Sequence, residues 1–239
     1  LVGILVTLAS PEVAEALAIC GVEWLFVDME HSPTLDPAAV QRIAQAVAGR
    51  CYVLVRVPTN DEAWIKKVLD AGVDGVIVPH VRSGDDARRA VGAAKYPPLG
   101  GRGIGIARAH QYGMDFAGYV ARANDSTALV VQIEDAAAVQ AVEEILAVPG
   151  ADAAFIGPFD LSGSMGKLGQ LDDPAAQAAI EKVLASCVAA DMPVGIYAGT
   201  PQAAKVETER GIRFVAVSTD IGLMIGAAKG AMAHATDAP

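Results

Sequence analysis

The chain has 239 residues, 53% hydrophobic and 19% charged, close to the roughly 250 residues of one (β/α)8 barrel and rich enough in apolar side chains to exclude a disordered polymer. Its net charge of −10 argues against a general nucleic-acid or membrane-surface binder, because both need basic patches. An anionic ligand would need a locally placed arginine or metal ion.

The chain opens at Leu1 inside what already reads as a strand over 2–7, which suggests that a segment precedes it. Further apolar, β-branched runs follow at 24–28, 52–56, 75–79, 128–133, 153–156, 194–197 and 213–217. They are continuous rather than alternating, as parallel strands buried on both faces require. Amphipathic stretches at 61–70, 84–94, 135–147 and 174–190 separate them, and a further helix is expected at about 113–124. Capping signals mark several helix starts: Ser10-Pro11, Asn60 before Asp61, and Asp173-Pro174. Strand–helix repeated about eight times without a linker predicts one (β/α)8 barrel domain over 1–239; an open doubly wound sheet has the same alternation. Two connections exceed a simple turn, 96–112 and 157–173. Cys20, Cys51 and Cys187 have apolar flanks and no paired spacing, as expected of reduced core thiols in a cytoplasmic protein. No apolar run is long enough to span a bilayer.

An enzyme on this fold should gather polar residues just past the C-terminal strand ends. Asp28, Glu30 and His31 follow the second strand, Arg56 closes the third, Glu134 follows the fifth, and Asp160 lies beyond the sixth. Glu134 and Asp160, on neighbouring strands, could chelate one hard divalent cation or could be salt-bridged carboxylates. Arg56 suits a bidentate grip on a carboxylate or enolate, or a pairing with a rim acid. His31 is the best general-base candidate, and His80 could also face the mouth. No lysine closes a predicted strand, where a Schiff-base lysine would be expected, and Lys167 alone lies near the mouth. Gly101–Gly105 matches no phosphate-binding motif and reads as a flexible loop, with Arg102 a possible anion contact. Trp24 and Trp64 read as packing residues.

The order Asp28–His31, Val55–Asp61, Gln132–Glu134 and Ile156–Ser162, with Tyr96-Pro97-Pro98 and Arg102-Gly103, resembles the HpcH/HpaI aldolase family over nearly the whole chain. The resemblance implies a class II pyruvate aldolase on a (β/α)8 barrel whose last helix is swapped between subunits, often in a hexamer. It implies that Glu134 and Asp160 bind Mg2+, Mn2+ or Co2+. It further implies catalytic roles for His31 and Arg56, with Asp70 and Asp28 supporting the histidine. The Gly157-Pro158-Phe159 turn would receive the pyruvate carboxylate, and Gln132 would lie beside the substrate. Leu5 and Tyr197 depart from residues found in some members, so the aldehyde partner does not transfer. The expected reaction is reversible addition of pyruvate to an aldehyde, with cleavage of 4-hydroxy-2-oxo acids. An acyl-CoA lyase of the same superfamily and a non-catalytic 2-oxo-acid-binding barrel are the alternatives.

Overall fold

In the computed structural model, which describes residues 1–236, the apolar runs form eight parallel strands that pair in sequence order, and the last closes onto the first. The first half runs β1 (Val2–Val6), α1 (Pro11–Ile19), β2 (Trp24–Asp28), α2 (Pro37–Val47), β3 (Tyr52–Arg56), α3 (Glu62–Asp70), β4 (Gly75–Val78) and α4 (Gly84–Ala94). A 3-10 segment, Arg108–Gly113, precedes α5 (Phe116–Ser126) and β5 (Ala128–Ile133). The chain continues through α6 (Ala136–Gln140), α7 (Val142–Leu146), β6 (Ala153–Ile156), α8 (Pro158–Ser164) and α9 (Pro174–Ala189). It ends with β7 (Val194–Ala198), α10 (Pro201–Glu209), β8 (Phe214–Thr219) and α11 (Asp220–Thr236).

Local chemistry explains most of these boundaries. Ser10, Asp36, Asp61, Asp173 and Thr200 each accept a first-turn backbone N–H, and all but Asp61 are followed by proline in the first turn. The cap of α3 is therefore Asp61 itself. Asn60, expected in that place, is buried and its Nδ2 donates to the Asp86 carbonyl. The stretch read as one helix over 135–147 is two, broken at Ala141. The segment after β6 is not all loop, since Gly157-Pro158 starts α8. Cys51 and Cys187 are buried, but Cys20 is exposed.

The two larger hydrophobic clusters hold the barrel. Aliphatic side chains such as Leu25, Val27, Val53 and Ile133 pack outward against the helices, while Trp24, Phe26, Phe155 and Phe214 fill the barrel interior. The interior rings meet with centroids 5.1–6.3 Å apart, within the range of favourable aromatic contacts. Glycines on neighbouring strands make room for them. A Cβ on Gly3 would lie 2.4 Å from the Trp24 indole nitrogen, and one on Gly195 would lie 2.4 Å from the Phe214 ring. Trp24 is thus a packing residue, as expected, whereas Trp64 is only partly covered, at 36% exposure. Among the described residues no helix is long and apolar enough to cross a membrane.

Candidate active site at the C-terminal rim

Inward-facing positions alternate along each strand, and continuing that alternation past the strand ends delivers the polar residues. Phe26, Asp28 and Glu30 follow one another at two-residue intervals, as do Val130, Gln132 and Glu134. Register completes the ring: Asp28 stands beside Arg56 and Gln132 beside Phe155. Leu5, His31, Arg56, Gln132 and Tyr197 line a cleft of about 250 Å3 with Phe26 and Phe155 as its floor. Its remaining wall is Gly157-Pro158-Phe159-Asp160 at the start of α8. Phe159 and Tyr197 rings lie 6.1 Å apart, and burial pushes the Tyr197 hydroxyl above its ordinary pKa.

Charge is concentrated on the other side of the cleft. Arg56 is buried, and its Nε and Nη2 donate to the two carboxylate oxygens of Asp28, both at 2.8 Å. This is the planar, two-pronged pairing that fixes a guanidinium in orientation. Arg56 Nη1 lies 3.0 Å from Glu30 Oε2. Burial alone would lower the Arg56 pKa, but Asp28, Glu30 and Glu134 outweigh it and hold the pKa above the ordinary value. Burial raises the Glu30 pKa; Arg56 opposes this, Glu134 adds to it, and His80 and His31 oppose it. The arginine therefore works as a permanent cation among several acids.

Glu134 is buried and accepts the backbone N–H of His80 at 2.8 Å and the amide of Gln132. His80 Nε2 is 3.0 Å from Glu30, and its Nδ1 is 3.4 Å from Glu134. Ligand atoms of Glu30, His80 and Glu134 lie within 4.8 Å of one another. Beside them the buried Gln132 Oε1 has no hydrogen-bond partner. Oxygen-rich donors this close, one with an unsatisfied neighbour, fit a divalent cation. Asp160 is exposed on the cleft wall, outside this cluster.

The other expected residues fall in two groups. His31 borders the cleft with its side chain 65% exposed, and its Nε2 is 4.0 Å from Glu30 Oε2. Asp28 touches His31 only through the backbone, accepting its N–H at 3.5 Å while gripping Arg56 with its side chain. Asp70 does not approach His31 in this chain: its carboxylate accepts from Arg102 at 2.7 Å, away from the cleft. That pairing also corrects the reading of Arg102 as an anion contact, because its guanidinium is buried against Tyr96 and Tyr119. Lys167 pairs with Asp173 at 2.5 Å, and His110 is buried beside Gly105. Sequence reasoning gave Glu30 and His80 no assigned role, although the two-residue spacing from Asp28 pointed to the glutamate.

A small cleft at the C-terminal rim, walled in part by His31 and by an arginine that a buried acid holds in orientation, defines a barrel enzyme built to stabilise developing negative charge. The sequence model of the family "HpcH/HpaI aldolase/citrate lyase" matches residues 1–227, and the chain belongs to that family. It is 43% identical to a 2-dehydro-3,6-dideoxy-6-sulfogluconate aldolase of Pseudomonas putida, over 92% of this chain and 86% of the relative. It is 41% identical to a hydroxypyruvate/pyruvate aldolase of Sagittula stellata, over 95% of this chain and 90% of that one. Among solved structures, an HpcH/HpaI aldolase/citrate lyase family protein from Burkholderia cenocepacia superposes with a TM-score of 0.95 at 37% identity, covering 99% of this chain and 95% of the other. The protein is a metal-dependent aldolase, a carbon–carbon lyase.

Proposed function

We propose that the cleft binds pyruvate as its enolate-forming substrate and adds it reversibly to an aldehyde, cleaving 4-hydroxy-2-oxo acids in reverse. The observation that carries this is the Asp28–Arg56 pair. Asp28 takes the Nε hydrogen and one Nη2 hydrogen and Glu30 faces Nη1, which still leaves guanidinium hydrogens, on a residue that lines the cleft, for an oxygen that gains charge. The names of the two aldolase relatives, a sulfogluconate derivative and hydroxypyruvate/pyruvate, agree with a 2-oxo acid as the common element. A cleft of about 250 Å3 suits a substrate of a few carbons.

The residues divide the work. Glu134 and Asp160 would hold Mg2+, Mn2+ or Co2+, and the cation would supply Lewis-acid polarisation of the 2-oxo group. Arg56 stabilises the enolate oxygen. His31 moves the proton at the reacting carbon or at the new hydroxyl, with Asp28 fixing the turn that carries it. The Gly157-Pro158-Phe159 turn positions the substrate carboxylate at first-turn amides that a helix start leaves without intrahelical partners. Gln132 orients Glu134 through their hydrogen bond. Leu5, Phe159 and Tyr197 bound the aldehyde side. Asp70 takes no part in this scheme within the chain, since Arg102 occupies it. The protein works as a homo-oligomer, a hexamer with α11 exchanged between copies.

The test is a coupled assay of pyruvate release across several 4-hydroxy-2-oxo acids, with metal removed and restored. Glu134→Gln and Asp160→Asn should each lower kcat/KM by about 10²-fold or more. Full activity of either variant after metal stripping would overturn the assignment. So would the absence of metal-dependent exchange of the pyruvate methyl protons for deuterium.

A further inference from the structure

His80 follows β4 and Pro79, and its backbone is left-handed, with φ of +59°. Histidine is a non-glycine residue that adopts this region only at an energetic cost, and such strain persists where surrounding contacts enforce it. Here the contacts are specific. The left-handed turn lets His80 donate its N–H to Glu134 Oε1 at 2.8 Å while its ring lies between two carboxylates, Nε2 toward Glu30 Oε1 at 3.0 Å and Nδ1 toward Glu134 Oε1 at 3.4 Å. A neutral imidazole donates from one ring nitrogen only, so the other presents a lone pair among acids that also offer lone pairs. Such a set of donors suits a shared cation. Ligand atoms on one divalent ion at about 2.1 Å stand up to about 4.2 Å apart. The three groups here all lie within 4.8 Å of one another, so a small side-chain adjustment closes them on an ion.

We propose that His80 is a nitrogen ligand, and Glu30 a further oxygen ligand, of the divalent ion held by Glu134, so that the site prefers imidazole-favouring ions such as Co2+ over Mg2+. The inference rests on the reading of Glu134 as a metal ligand and adds to it a donor of different chemistry. Carboxylates and water suit Mg2+, whereas imidazole suits later first-row ions. The buried Gln132 Oε1, with no partner, lies on the amide that holds Glu134 and marks the same spot as incompletely satisfied. Glu30, partly buried between Arg56 and His80, is held in place beside the other two donors. His80 thus serves the metal, while the exposed His31 on the other side of Glu30 remains free for proton transfer.

The experiment uses the full chain loaded with Mn2+ or Co2+ alone, without substrate. Pulsed electron paramagnetic resonance of the Mn2+ protein should show nitrogen-14 coupling. His80→Asn, which tolerates a left-handed backbone, and His80→Gln should both lose it. Calorimetric titration should show Co2+ affinity falling at least about tenfold in both variants and Mg2+ affinity changing less. Circular dichroism melting checks that each variant is folded, and two variants with different backbone tolerance guard against loss of one. Absence of nitrogen coupling in the unmodified Mn2+ protein, or an unchanged ratio of Co2+ to Mg2+ affinity in a folded His80 variant, overturns the inference and leaves Glu134 as a metal ligand. Unchanged Mn2+ affinity in Glu134→Gln instead overturns the metal reading of Glu134 itself.

Discussion

Arg56 shows how one residue can be both structural and chemical. It is buried at the end of β3, where an unpaired charge would be costly, and Asp28 meets it with two hydrogen bonds of 2.8 Å. That pairing fixes the plane of the guanidinium and therefore the direction of its remaining hydrogens. Lysine would keep the charge but lose the fork, and Asp28 would be left with one oxygen unsatisfied. Arg56→Lys should therefore fold with modest loss of stability while kcat/KM for pyruvate-forming cleavage falls by about 10²–10³-fold, mostly in kcat. Steady-state kinetics checks this. A change confined to KM would show that Arg56 only binds the ground state. The candidate site was legible in the sequence to this level: the residues at strand ends could be named, and those of the cleft meet in space. What was not legible depended on backbone conformation. Nothing in Val-Pro-His-Val signals that His80 turns left-handed and reaches back to Glu134. Nor does the spacing from Asp70 show that Arg102 folds back over Tyr96 to claim it.

At the scale of elements, each continuous apolar strand conceals two alternating sets with different neighbours. Leu25 and Val27 face the helices, while Trp24 and Phe26 face inward. The sequence made the strands recognisable through their β-branched content, but both sets are hydrophobic, so periodicity could not tell inside from outside. The pairing of glycine with aromatic residues across strands carries the interior information. Short helices were harder to see than strands: α8 is seven residues, begins in Gly-Pro and is interrupted by serine and glycine, all of which read as loop. The interior arrangement has a testable consequence. Gly195 on β7 lies beside Phe214 on β8, its paired neighbour, and an added Cβ would come within 2.4–2.7 Å of three ring carbons. Gly195→Ala should destabilise the barrel by about 1–3 kcal/mol through overpacking. Gly195→Ala combined with Phe214→Leu should be less unstable than the sum of the two single changes, because the smaller side chain vacates the contested space. Urea denaturation midpoints measure both. A Gly195→Ala variant within about 0.5 kcal/mol of the parent would show that the ring simply moves aside.

The whole molecule presents a surface that a solitary barrel has no reason to keep. The start of α11 is fastened to the barrel, since the buried Asp220 accepts hydrogen bonds from Thr7 and Leu8 at the end of β1. Beyond it the helix carries Leu223, Met224 and Ile225 at 40%, 51% and 48% exposure. Its sequence offers apolar residues around most of its circumference, and a helix of that kind is normally covered. A second apolar stretch lies between α4 and α5, where Ile106 and Met114 are 78% and 88% exposed. Large apolar side chains exposed in groups of this kind mark protein interfaces. The expected state is therefore an oligomer in which α11 packs against another copy. Light scattering on the unmodified protein should give a mass several times that of the chain. Leu223→Glu combined with Ile225→Glu should reduce it, because each new carboxylate would have to be desolvated in the interface. The substituted positions lie outside the cleft-lining residues, so a dissociated variant that still binds Mn2+ would show that the ion's ligands reside within one chain. A monomeric parent, or a double variant with the parent's mass, would remove α11 from the interface.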